Sequence, residues 1–203
     1  MATAEGGHHP NTCYIDRDGN FHLNGSSIYA DESGTAISGT DLASTDGVIA
    51  TPAEINRVAD VSTRCVAIAA DTTITLDAYS DKIILLNKAG TEVTVTLPAA
   101  TGTGARFKFY QQLVNTSKYH VLAAAGDVMC GNILTNSSAD SQSCQPWISL
   151  AATANIRITL NGTTQGGVSI GDWVELVDVA TDRWAVTGLT TSSGTEATPF
   201  ATS

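Results

Sequence analysis

In Thr91-Glu-Val-Thr-Val-Thr-Leu97 apolar and polar side chains alternate without a break, placing Val93, Val95 and Leu97 on one side and threonines on the other. A period of two is that of a strand buried on one face. Pro98 follows, and having no N–H to give a ladder, it stops the strand. Downstream, Ala105-Arg-Phe-Lys-Phe-Tyr110 resumes the alternation with Phe107 and Phe109 inward; upstream, Asp71-Thr-Thr-Ile-Thr-Leu76 puts Ile74 and Leu76 on one face. Lys82-Ile-Ile-Leu-Leu86 is a continuous apolar run, which predicts a strand buried on both sides.

Further short strands are expected over 119–122, 128–130, 147–150, 154–160, 173–177 and 183–186, with the last two framing a turn at Ala180-Thr-Asp182. Ala100-Thr-Gly-Thr-Gly104 and Asn161-Gly-Thr-Thr-Gln-Gly-Gly167 read as glycine loops, and 132–146, rich in Asn, Ser and Asp, as a long surface loop. Eight to ten strands with almost no helix predict a mainly β domain over 65–189, an antiparallel sandwich or a jelly-roll-like barrel. No repeat of fixed period is present, which argues against a solenoid. The tail, 190–203, is expected to fray or to lie against a neighbour.

Upstream of the β domain, Thr51-Pro-Ala-Glu-Ile-Asn-Arg-Val-Ala-Asp-Val-Ser-Thr-Arg64 spells a short connecting helix. Thr51 caps, Pro52 occupies the first helical position, and Glu54 completes the capping box. Ile55, Val58 and Ala59 form a narrow apolar face. Residues 1–50 are different in kind. Asp18-Gly19 signals a tight hairpin turn, and Asn24-Gly25, Ser33-Gly34 and Ser38-Gly39 signal further turns. The apolar residues between them, Tyr14, Phe21, Leu23, Ile28, Tyr29, Ile37 and Leu42, are isolated. No strand pair here offers a face wide enough to bury alone. The expectation is an extended N-terminal arm that becomes ordered against other chains, with a linker lacking any fixed partner as the alternative.

Composition bounds the function. Of 203 residues, 42% are hydrophobic and 15% charged, which suits a folded core; aromatics are scarce at 6%. A net charge of -10 with no Lys/Arg cluster repels phosphate backbones, so no nucleic-acid binding is expected. No apolar run reaches the roughly 20 residues of a membrane helix, and the N-terminus carries no export signal, so no membrane association is expected. The four cysteines, Cys13, Cys65, Cys130 and Cys144, read as free thiols of a cytoplasmically assembled protein, with a Cys130–Cys144 bridge as the alternative. Asn24, Asn115, Asn136 and Asn161 open glycosylation-like triplets that match by chance in a Ser/Thr-rich chain.

A search for chemistry returns little. Asp16-Arg-Asp-Gly-Asn20 imitates the start of a calcium loop but has Ser27 where a bidentate glutamate is needed. His8, His9, His22 and His120 show no zinc-ligand spacing. Gly102-x-Gly104 lacks the rest of a nucleotide fingerprint, and no Gly-x-Ser-x-Gly elbow occurs. Asp172 and Glu175, the nearest pair of carboxylates for glycan cleavage, fall on opposite faces of a strand. Trp147, Trp173 and Trp184 could line a sugar platform, although strand tryptophans are more often core. The expectation is a binding or scaffolding protein, not an enzyme, with no cofactor and no metal.

The phrase at 51–64 resembles one common in virion proteins of tailed bacteriophages. So do Leu97-Pro-Ala-Ala-Thr-Gly-Thr-Gly-Ala-Arg-Phe107, Leu160-Asn-Gly-Thr-Thr-Gln-Gly-Gly-Val168 and Gly194-Thr-Glu-Ala-Thr-Pro-Phe200. The family resembled is that of capsid decoration (cement) and head-fibre proteins, related in style to tail-fibre proteins. The resemblance implies a homotrimer on the capsid exterior of the virion, assembled in the bacterial cytoplasm, that bridges copies of the major capsid protein. Tyr14, Phe21, Leu23, Ile28, Tyr29, Ile37, Leu42, Ile55 and Val58 are then the expected trimer or capsid interface. The alternative is a short tail-fibre or adsorption component whose glycine loops at 100–104 and 161–167 touch host glycans.

Overall fold

The structure, a computed structural model, describes residues 64–138 and 143–203 fully, and before them only the backbone of four short strands. The chain divides into two compact units, Met1–Val58 and Ala59–Ser203. In the first, β1 (Cys13–Ile15) pairs antiparallel with β2 (Phe21–Leu23), and β3 (Ile28–Tyr29) with β4 (Ala36–Ile37). The helix expected over 51–62 lies outside the described residues.

The second unit is mainly β, with its strands in two sheets around one core. Its strands are β5 (Cys65–Ile68), β6 (Thr72–Thr73), β7 (Ile83–Leu86), β8 (Val93–Thr96), β9 (Arg106–Gln111) and β10 (Tyr119–Leu122), then β11 (Val128–Ser137), β12 (Cys144–Ser149), β13 (Arg157–Leu160), β14 (Trp173–Ala180), β15 (Arg183–Ser192) and β16 (Phe200–Ala201). The larger sheet has the order β12-β11-β15-β14-β9-β7-β5, the smaller β16-β13-β10-β8-β6.

From β5 to β10 the chain alternates between the sheets, and each strand lies parallel to the previous one in its own sheet: β5, β7 and β9 in one, β6, β8 and β10 in the other. This is a flattened coil of three turns. β11 continues in the direction of β9, but the β14–β15 hairpin is inserted between them, antiparallel to β9 and with β15 parallel to β11. β13 and β16 extend the smaller sheet antiparallel to their neighbours.

The alternating segments fill the core as their patterns require. Val93, Val95 and Leu97 face Phe107 and Phe109 across the sandwich interior, joined by Tyr119, Val121, Ile158, Leu160, Val174, Leu176, Val186 and the fully buried Trp184, whose ring lies 5.6 Å from that of Phe107. The approach of β11 to β15 depends on Gly131. Its φ is +144°, and a Cβ there would sit 2.0 Å from the carbonyl oxygen of Val186.

Five expectations are corrected in detail. Strand directions are mixed, because the coil makes parallel neighbours. Leu76 opens a single helical turn (Leu76–Tyr79, capped by the Thr75 hydroxyl) and does not extend β6. The 82–86 run is buried on one face only: Ile84 and Leu86 are inside, while Ile83 is 40% exposed. Within the stretch expected as a long loop, residues 132–137 belong to β11 and 144–146 to β12, which pair antiparallel, with Ile133, Thr135 and Ser137 buried. The tail is likewise drawn into the fold: β15 runs to Ser192, and Phe200 in β16 pairs with Ile158 and is buried.

Because Phe200 closes the smaller sheet, Phe200→Ala should cost about 3 kcal/mol or more, the usual range for emptying a buried aromatic site. Urea unfolding checks this; a midpoint equal to that of the parent would mean that the tail is not part of the core.

Candidate functional site

Of the interface residues expected from the sequence, the structure places Tyr14, Phe21 and Leu23 in the β1–β2 ladder, with Tyr14 opposite His22, Phe21 opposite Ile15 and Leu23 opposite Cys13. Ile28 and Tyr29 lie in the β3–β4 ladder, Ile28 opposite Ile37. Leu42, Ile55 and Val58 lie outside the described residues.

Among the described residues of the β unit, three carboxylates are buried, and each is spent on holding backbone. Asp178 accepts the N–H groups of Thr101 (3.1 Å), Gly102 (2.7 Å) and Thr103 (2.9 Å) together with the Thr103 hydroxyl (2.7 Å). Burial pushes its carboxyl up, but the bonds from Thr103, Gly102 and Thr101 outweigh that and hold it below the ordinary aspartate range. Asp127 accepts the Ala100 N–H (2.8 Å) and the Trp184 indole N–H (3.1 Å). Asp172 accepts the N–H groups of Gly167, Ser169 and Thr191 and the Thr191 hydroxyl. Here burial dominates and pushes the carboxyl above its ordinary range, with the bonds from Thr191, Ser169 and Gly167 opposing it.

The two glycine loops are thus pinned at opposite ends of β14, roughly 20 Å apart at the rise of a strand. The 161–167 loop is also packed from within: Asn161 accepts the N–H groups of Thr163 and Gln165, and the Gln111 amide donates to the Gly167 carbonyl. A Cβ on Gly167 would sit 2.5 Å from Gln111 Oε1, at a φ of +80°.

The outer face of the larger sheet carries a different cluster. The Lys108 ammonium lies 4.3 Å from the Trp173 ring centroid, 5.3 Å from that of Tyr110 and 3.8 Å from the Glu175 carboxylate. Next to it is a depression of about 210 Å³ lined by Asp81, Lys82, Ile83, Arg106, Lys108 and Glu175. Asp172 is buried at the start of β14 whereas Glu175 meets Lys108 on the outer face, so the two carboxylates face no common cleft. Trp184 is core, Trp147 packs against the core from β12, and Trp173 alone of the three joins the outer cluster.

His120 touches the Thr159 hydroxyl through Nδ1 (3.0 Å) and Glu92 through Nε2 (3.5 Å). Burial lowers its pKa, partly offset by Glu92, which leaves it neutral at neutral pH. Among the described residues no group of three or more His, Cys, Asp or Glu could hold a metal ion. Cys65, Cys130 and Cys144 are free thiols. Cys144 lies opposite Asn136, and Cys130 is at the far end of the β11–β12 pair, roughly 20 Å away, beyond the ~7 Å a disulfide can span.

The carboxylate clamps were not visible as clamps in the sequence. Asp172 and Asp178 stand six positions apart flanking an alternating strand, but the donors they collect are 75 to 77 residues away for Asp178 and 19 for Thr191.

The depressed pKa of Asp178 gives a signed prediction. Its stabilisation is present above the unfolded pKa and is lost as pH falls through the lower folded value. Asp178→Asn, which leaves backbone donors unpaired, should cost about 1–3 kcal/mol at neutral pH. The gap from the parent should narrow as pH falls below about 4. Unfolding midpoints at both pH values test this; an equal gap at both would contradict it.

No protein-family model matches the sequence, and no curated protein or solved structure matches it either.

Proposed function

We propose that the protein is a structural component of a bacteriophage virion. It binds the outside of the capsid as a homotrimer and steadies the shell by bridging major capsid protein subunits. The observation that carries this reading is the contrast between the two units. The described part of Met1–Val58 consists of two separate ladders of two short strands, and two strands alone bury too little to be stable in water. Such a unit gains its order against other chains. The β unit is the opposite: a filled core with its loops clamped by internal carboxylates, which suits a load-bearing part that must not deform. The order of the phage-like phrases along the chain supports the same assignment.

The second reading, an adsorption component that binds host glycans, is favoured by the half-exposed Trp173 and Tyr110 on the outer sheet. It is weakened because Lys108 already covers the Trp173 ring and because the two glycine loops are far apart.

Capsids lacking the protein supply the test. The purified chain, at a mass of three copies by light scattering, should cosediment with them and raise the temperature at which they release DNA. A chain lacking residues 1–50 should lose the trimer mass. Cosedimentation failure, with cell binding that free host polysaccharide blocks, would overturn the capsid reading in favour of the second.

A further inference from the structure

The outer face of the seven-stranded sheet carries one row of residues that contains no charge. Pro146 lies opposite Leu134, Leu134 beside Leu189, and Leu189 beside Trp173. The row continues from Trp173 to Tyr110, to Leu85 and to Ala67, crossing every strand of the sheet. Residues in register share a face, and the neighbours of each along its strand are in the core: Ile133, Val174, Phe109, Ile84 and Ile68 are buried. Leu134 and Leu189 are each 41% exposed, and in the adjoining row Ile148 is 66% exposed. At the spacing of strands the row is about 29 Å long, and with the mixed rows beside it, which include Lys108 and Glu175, the face covers about 600 Å², somewhat less than the ~800 Å² per partner of a standard interface.

We propose that this face is where copies of the chain meet one another. The inference rests on the reading of the protein as a self-associating one and adds, to the contacts proposed for residues 1–50, a second surface in the β unit. Charge decides the occupant. Each copy has a net charge of -10, so identical chains repel over most of their surface. This face is close to neutral: Lys108 is paired with Glu175 in the row beside the apolar one, and Asp81 offsets one of Lys82 and Arg106 at the depression next to it, which leaves a single positive charge against a strongly acidic remainder. A strongly basic partner would be drawn to that acidic remainder, whereas a second copy approaches here with the least electrostatic penalty and covers the leucines. A glycan platform would need a run of aromatic rings, and the row offers two rings among aliphatic side chains.

The test uses the full chain. Leu134→Asp combined with Leu189→Asp alters two exposed positions, and circular dichroism verifies the fold. Sedimentation over a range of concentrations should show association weakened at least about 100-fold, while Ile170→Asp, exposed and outside the row, should leave it unchanged. Glu175→Lys should weaken association in low salt, with recovery in high salt as the added like charges are screened. A doubly substituted chain that associates like the parent would overturn this inference alone. A parent that is monomeric at every concentration would overturn the self-association reading together with it. Unchanged association with loss of capsid or glycan binding would assign the face to that other partner and overturn the inference.

Discussion

A carboxylate sits buried at each end of β14, and the arrangement of the whole β unit turns on how those two charges are satisfied. A buried carboxylate without donors is costly, so the backbone around it must supply them. Asp178 gathers three consecutive N–H groups from the loop before β9, and Asp172 gathers N–H groups from the 161–167 region and from β15. The β14–β15 hairpin is therefore tied at one end to the loop before β9 and at the other to the 161–167 loop, and its insertion into the coil is fixed at both ends.

That insertion explains why the sandwich is neither a pure coil nor a pure antiparallel stack. Three turns wind up from β5 to β10, the hairpin interrupts, and β11 resumes the same direction on the far side. The outcome is one sheet of seven strands whose inner face is packed against five others. Tyr119 adds a tie of its own kind: the single proton of its buried hydroxyl is shared between the carbonyls of Lys88 and Leu113, and its oxygen accepts the Lys88 N–H (2.6 Å), joining two loops at one end of the coil. A plate held this firmly presents its outer residues at fixed spacing, which is what an assembly surface requires.

Much of this was legible in the sequence wherever inward residues are apolar. The segments around Val93–Thr96 and Arg106–Gln111 show their inner faces directly. The reading fails where the inward residues are polar. In β11 and β15 the buried positions include Thr135, Ser137, Thr190 and Ser192, and Thr135 and Thr190 satisfy each other through their hydroxyls at 2.9 Å. Hydrophobic periodicity vanishes there, so the second half of a ten-residue strand, from Asn132 on, reads as a loop and the end of another as a tail. The coil was hidden for a different reason. Cys65 lies beside Ile83, and Ile83 beside Lys108, so successive turns differ in length and leave no period to detect. The unbroken apolar run at 82–86 misled because its outer residues, Ile83 and Leu85, belong to the exposed face and not to a second layer. The outer row itself is scattered over seven segments and becomes visible only through the strand register.

Hydrogen exchange in the intact chain tests the central claim, that buried carboxylates lock the loops to the hairpin, most directly. The account predicts that the amides of Thr101, Gly102 and Thr103, and of Gly167 and Thr191, exchange as slowly as those in the middle of β9 and β14. Exchange of these amides at the rate of an open loop, with the strands themselves protected, would contradict it.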